Sequence, residues 1–132
     1  MWAPAVGTTI IGTGCSTLNS CPSRDGWNDE AIFSLLREHN VGFCVFDMPD
    51  YTSPVVATAD FAYFRFHGNA GLYQSCYGEN ELAGWARKIT SLTKNLKVVY
   101  VYFNNDAQAF AVKNARTMGR LLDSDAGTQN IS

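Results

Sequence analysis

Three six-residue runs, Val41-Gly42-Phe43-Cys44-Val45-Phe46, Phe61-Ala62-Tyr63-Phe64-Arg65-Phe66 and Val98-Val99-Tyr100-Val101-Tyr102-Phe103, are almost wholly apolar, and each gives way abruptly to polar residues. Runs this short, rich in β-branched and aromatic residues and lacking an alternating polar face, suit strands covered on both sides, the environment of a parallel sheet. Parallel neighbours cannot be joined by a tight turn and need a longer crossover. The intervening stretches can supply it. Asn28 is placed to cap a helix over residues 29–39, with Asp29 and Glu30 in its first turn and Ile32, Phe33, Leu35 and Leu36 as its apolar face. Leu82, Trp85, Ala86, Ile89 and Leu92 recur at helical spacing over residues 79–92, and Phe110, Val112, Ala115, Met118, Leu121 and Leu122 do so over residues 107–122. Residues 48–60, with Pro49 and Pro54, read as a loop, and residues 123–132 as a polar tail. The order helix, strand, strand, helix, strand, helix predicts an α/β fold with about three parallel strands and flanking helices.

Length limits how far such a fold can close. The chain has 132 residues, enough for one domain with a core of its own. A closed (β/α)₈ barrel usually takes ~250 residues, and a doubly wound sheet carries about five or more strands, so about half of either is expected. Residues 1–26, rich in Gly, Thr, Ser and Pro, have no sustained period and form an irregular segment before a unit over residues 27–122. Ten Lys and Arg against twelve Asp and Glu give no basic excess, which speaks against a nucleic-acid partner. No signal-like start and no membrane-length apolar run is present, so no membrane association is expected and a reducing cytoplasm is the default location. Cys15, Cys21, Cys44 and Cys76 match no zinc spacing. Cys44, inside an apolar run, reads as a small buried hydrophobe, and Cys76 has no cation nearby in sequence that would make it a nucleophile.

In parallel α/β folds ligands bind beyond the carboxyl ends of the strands, where the loops converge. Those ends carry Asp47, then Arg65 with His67 and Gly68, then Asn104, Asn105 and Asp106. Arg65 is a fixed cation for a carboxylate or phosphate, while Asp47 and His67 are candidate catalytic acid or base groups. Gly68 permits close backbone approach, and Asn104 and Asn105 are neutral donors and acceptors. Tyr73 and Tyr77 flank a loop over the same end, and Tyr77 is a candidate ligand contact suited to a sugar ring or a base. A small anionic or sugar-like ligand fits this set. Structural roles are open to the same residues: an Arg65–Asp47 ion pair, a turn at His67, a helix cap from the asparagines, or plain burial of the tyrosines. A metal site from Asp47, His67 and Asp106 is not expected with two histidines in the chain.

The segments Phe46-Asp47-Met48-Pro49, Thr58 to Gly68 with its Tyr63-x-Arg65-x-His67-Gly68 pattern, Tyr77 followed by Glu81-Leu82-Ala83-Gly84-Trp85-Ala86, and Val101 to Asp106 with Ala111, Asn114 and Ala115 occur in that order. Together they closely resemble the C-terminal half of the YecE-like family, domain of unknown function 72. The resemblance covers residues 27–122. It implies a TIM-barrel-like fold in which Asp47, Arg65, His67, Asn104 and Asn105 line one pocket, and it supplies no reaction, substrate or cofactor. The family carries further strand and helix units before this region, with an arginine shortly before a tryptophan. Here Arg24 and Trp27 stand one residue closer than in that pattern, and residues 16–22 are too polar for a barrel strand. The expectation is a truncated, incomplete barrel, with self-association through its open sheet edges as one way to cover them. Alternative readings are a non-catalytic fragment or interaction protein, and a nucleic-acid-processing barrel whose further metal ligands lie elsewhere.

Overall fold

The computed structural model describes residues 28–92 and 94–128. The irregular segment expected over residues 1–26, with Cys15, Cys21 and the Arg24 and Trp27 motif, lies outside the described residues. Helix α1 (Glu30–Glu38) is followed by strands β1 (Cys44–Met48), β2 (Tyr51–Thr52) and β3 (Phe61–Phe66), helix α2 (Glu79–Leu92), strand β4 (Val98–Phe103) and helix α3 (Phe110–Thr128). The strands form one sheet in the order β2-β1-β3-β4. Central strand β3 is parallel to β1 on one side and to β4 on the other, while β2 runs antiparallel to β1.

Strand β3, helix α2 and strand β4 lie where the apolar runs and helical spacing put them. Helix α1 is capped by Asp29, whose side chain accepts from the Ala31 amide at 2.8 Å, and not by Asn28, whose amide instead donates to the Tyr51 hydroxyl. Its buried face also narrows to Phe33, with Leu35 55% exposed. Strand β1 begins later than the run at Val41. The Val41 amide still donates to the Leu36 carbonyl behind α1, and Thr58 takes the next positions, its hydroxyl donating to the Val41 carbonyl and accepting from the Phe43 amide. The expected loop over residues 48–60 contains β2, because the Pro49-Asp50 turn folds Tyr51 and Thr52 back onto Met48 and Asp47.

The last helix differs most. A 3₁₀ turn over Ala107–Ala109 comes first, with Gln108 and Ala109 in the left-handed region at φ 52° and 59°. The change of direction leaves Val112 54% exposed, outside the apolar face expected to include it. Helix α3 then continues to Thr128, through the first six residues of the expected tail.

Side chains alternate across the sheet. Val45, Ala62, Phe64 and Phe66 join Leu82, Trp85, Ala86 and Ile89 of α2 and Met118 of α3 in the main core, with Val99, Val101 and Phe103 packed against it. Phe66 is its hub: it stacks on Phe103 with centroids 4.9 Å apart and meets the rings of Trp85 and Tyr77 edge-on. The opposite face carries no described helix. It presents Phe46, Tyr63, Arg65, Tyr100 and Tyr102, with the rings of Tyr63 and Tyr102 tilted together at 5.2 Å. Tyr102 is 50% exposed there. Lys97 and Asp60 tie the beginnings of β4 and β3 by an amide-to-carbonyl bond and an ion pair at 2.7 Å.

Phe64 has no exposed surface and sits between the sheet and α2. Phe64→Ala is expected to lower unfolding free energy by about 3–5 kcal/mol, read from the shift of the urea midpoint at unchanged m-value.

Candidate functional site

The parallel register sets Asp47 beside Phe66 and Phe66 beside Phe103, so the three strands end at one level and their loops meet there. Strand alternation then divides the expected residues between two faces. Asp47 follows Val45 onto the helix-covered face. Arg65 follows Tyr63, and Asn104 follows Tyr102, onto the helix-free face.

On the helix-covered side Asp47 is 8% exposed, and both its oxygens are engaged. Thr52 Oγ1 donates to Oδ1, and the Tyr77 hydroxyl donates to Oδ2 at 2.8 Å. The Tyr77 oxygen in turn accepts the Gly68 amide at 3.1 Å, and the Asp47 carbonyl accepts the His67 amide at 2.9 Å. Asp47 and Tyr77 together thus hold the start of the β3–α2 loop to the end of β1. Burial first, and next the hydrogen bond to Asp47, keep the Tyr77 hydroxyl protonated far above the usual tyrosine range. The Arg65–Asp47 ion pair is not formed; Arg65 donates from Nε to Asn104 Oδ1 at 3.1 Å.

The loop after β3 is shaped by Gly68 and Ser75. Gly68 has φ +103°, and a Cβ there would stand 2.5 Å from the Gly71 carbonyl oxygen and 2.8 Å from Ser75 Oγ, so no larger residue fits. The Ser75 hydroxyl gathers the amides of Asn69, Ala70 and Gly71 at 2.9, 3.1 and 3.4 Å. Asn105 is fully buried and donates to the Ser75 carbonyl and to Asn114 Oδ1, each at 2.8 Å. Asn114 completes this knot by accepting from the Tyr77 amide and donating to the Tyr77 carbonyl. Asn104 and Asn105 therefore part company, the first on Arg65 and the second within the loop anchor, and neither side chain caps α3.

Ser75 and Thr52 carry no signal that separates them from other loop hydroxyls in the sequence. Asn114 does, as a polar residue at helical spacing from Ala111 and Met118 on an otherwise apolar stripe. Half-buried Cys44 has its thiol pushed up by burial, against the pull of Arg65. Half-buried Cys76 lies 3.6 Å from Asn114 Nδ2. No group of three or more His, Cys, Asp or Glu side chains gathers as metal ligands among the described residues. No described helix is long and apolar enough to cross a membrane.

His67 is 8% exposed, its ring edge-on to Tyr73 with centroids 5.4 Å apart, and its Nδ1 is buried without a partner among the described residues. Burial and the nearby Arg65 charge lower its pKa below 6.5, partly opposed by Asp47. The neutral imidazole is thus the folded form at neutral pH, set beside the Arg65 cation. As pH falls through about 6.5 the unfolded chain takes up this proton before the folded chain does. Stability is therefore expected to be full above that pH, to drop as pH falls through and below it, and to level off under the folded pKa. Urea midpoints measured between pH 7.5 and 5 should show this decline, and His67→Gln should flatten it.

A family model described as protein of unknown function DUF72 matches residues 24–131. Among solved structures, a DUF72 family protein from Thermotoga maritima MSB8 is 31% identical with a TM-score of 0.69, over 75% of this chain and 43% of that one. Two structures of a DUF72 family protein from Enterococcus faecalis V583 are 21% and 24% identical, with TM-scores of 0.68 and 0.63, and share the fold over 75% of this chain and 44% and 45% of theirs. This chain thus spans less than half the length of these solved relatives. No curated protein matches the sequence. The family match covers the whole described sheet and all three helices, and the chain belongs to the DUF72 family.

Proposed function

We propose that the ends of β3 and β4 bind a small anionic or sugar-like ligand, with Arg65 as the fixed cation. The supporting observation is the state of Arg65 itself. Its Nε is held by Asn104, while its terminal Nη groups have no hydrogen-bond partner among the described residues. Guanidinium donors held in one plane match the paired oxygens of a carboxylate or phosphate. Asn104 spends its Oδ1 on Arg65 and keeps its Nδ2 as a further donor. Neutral His67 can accept a proton near pH 7, whereas Asp47 has both oxygens occupied, so His67 is the acid–base group in this reading. Tyr63 and Tyr102 supply ring surface next to the cation.

The sheet in this reading is part of a TIM-barrel-like wall. Its helix-free face corresponds to the barrel interior, closed by the strands that make up the remaining length of the solved relatives. Support comes from helices packed on one face alone, aromatic residues on the other, and the 43–45% of relatives' length spanned here. Inorganic phosphate is expected to raise the thermal unfolding midpoint of the chain, and Arg65→Gln to weaken the apparent affinity about tenfold or more, the size of a lost charge-assisted hydrogen bond. A response equal in both proteins removes Arg65 from the site.

A second reading, an interaction module that self-associates, is favoured by β4. That strand is uncharged, pairs on one edge with β3, has no other strand neighbour among the described residues, and exposes Val98, Tyr100 and Tyr102 by 41%, 39% and 50%. Uncharged apolar edges of this kind recruit further strands. Sedimentation at increasing concentration should then show a rising mean mass, and Tyr100→Lys should keep the chain monomeric at concentrations where the parent associates.

A further inference from the structure

Asp47 and Tyr77 stood among the expected catalytic and ligand-contacting residues, yet their geometry gives them different work. Each polar atom of the pair is directed at the protein. The carboxylate accepts from Thr52 and Tyr77, the tyrosine oxygen accepts from Gly68, and the Asp47 carbonyl accepts from His67. Two successive amides, those of His67 and Gly68, are therefore fastened to one buried acid and its tyrosine. Gly68 is held at φ +103°, and a residue so placed directs the chain on both sides of it. Two residues before His67 stands Arg65, which has one further side-chain tie, to Asn104.

We infer that Asp47 and Tyr77 are positioning residues for the anion site proposed above, fixing the His67–Gly68 backbone so that the imidazole and the Arg65 guanidinium face the same ligand. The inference rests on that proposed site. It assigns Tyr77 no contact with ligand and Asp47 no proton transfer. The pair lies across the sheet from the ligand and acts through the end of β3. A hydroxyl that holds a loop amide from behind in this way can be removed while the ring keeps its apolar contacts with Phe66 and Phe103. The groups that face His67 are Arg65 near the end of β3, Asp47 on β1 and the ring of Tyr73 in the loop, with Tyr77 reaching it through Asp47 and Gly68.

Two variants act on His67 in opposite directions. Tyr77→Phe leaves Asp47 Oδ2 without its buried donor, so the carboxylate attracts a proton on His67 more strongly. Asp47→Asn removes that attraction. The test is an NMR titration of the His67 ring, assigned by its survival in His39→Gln, together with phosphate affinity from the same spectra. In Tyr77→Phe the His67 pKa should rise and phosphate binding weaken about tenfold, the scale of a displaced site group. In Asp47→Asn the His67 pKa should fall, and Tyr77 can still donate to the remaining amide oxygen, so phosphate weakens less. Folded variants whose His67 pKa and phosphate affinity both equal those of the parent overturn the inference. A parent chain that binds no phosphate overturns the proposed site itself, and in that case opposite shifts of the His67 pKa still identify the pair as setting the His67 environment.

Discussion

Strand β3 is hydrogen-bonded along both edges in parallel register, and every feature at the strand ends depends on that arrangement. A one-residue slip against β1 would turn Arg65 into the helix-packed core and bring Phe66 out of it. The cost of such a slip is set by Phe64 and Phe66, both within 1% of complete burial. Large rings on one face therefore fix which chemistry appears on the other. Core and site are two sides of a single six-residue strand.

The carboxylate of Asp47 is the most demanding group in this frame. Taking a charge out of water costs several kcal/mol unless donors replace the lost hydration. Thr52 and Tyr77 are those donors, and they come from β2 and from the loop before α2. The buried acid consequently obliges a short strand and an irregular loop to close over the end of β1. A second demand comes from Asn105 and Asn114, whose amides bind the loop at Ser75 and Tyr77 to the end of β4 and to α3. Tyr77 belongs to both networks, its hydroxyl in the first and its backbone in the second. Loops built this way are fixed by polar groups below them and leave their outer surface free.

What could be read from the sequence follows the same division. β3, α2 and β4 were legible because each is a long, uninterrupted pattern whose period is the period of its structure. The beginning of β1 was not. Residues 41–43 look like strand, but Thr58, seventeen residues from Val41, takes the Val41 carbonyl and the Phe43 amide. The end of α3 differs for the opposite reason: residues 123–128 carry no large apolar side chain to extend the helical stripe, yet the helix runs on to Thr128. Gathering Asp47, Arg65, His67, Gly68 and Asn104 at one end required only the direction of parallel strands. Placing Asp47 and Arg65 on opposite faces required their offset in register, Asp47 opposite Phe66 and Arg65 opposite Phe46, and no property of either residue reveals that offset.

The helix-free face links the two readings proposed for the chain. Arg65 stands there among Phe46, Tyr63 and Tyr102, in a setting still open to water at Tyr102. Covering the face, whether with the remaining strands of a barrel or with a second copy, would lower the local dielectric and strengthen the attraction between the guanidinium and an anion. The same cover would raise the cost of leaving Arg65 unpaired, because a cation enclosed among aromatic rings loses its hydration. An anion that relieves this cost must favour the covered state by the same free energy with which the cover favours the anion. Closure of the sheet and occupation of the Arg65 site are then one coupled equilibrium, and the exposed tyrosines of β4 and the free donors of Arg65 are the two ends of it.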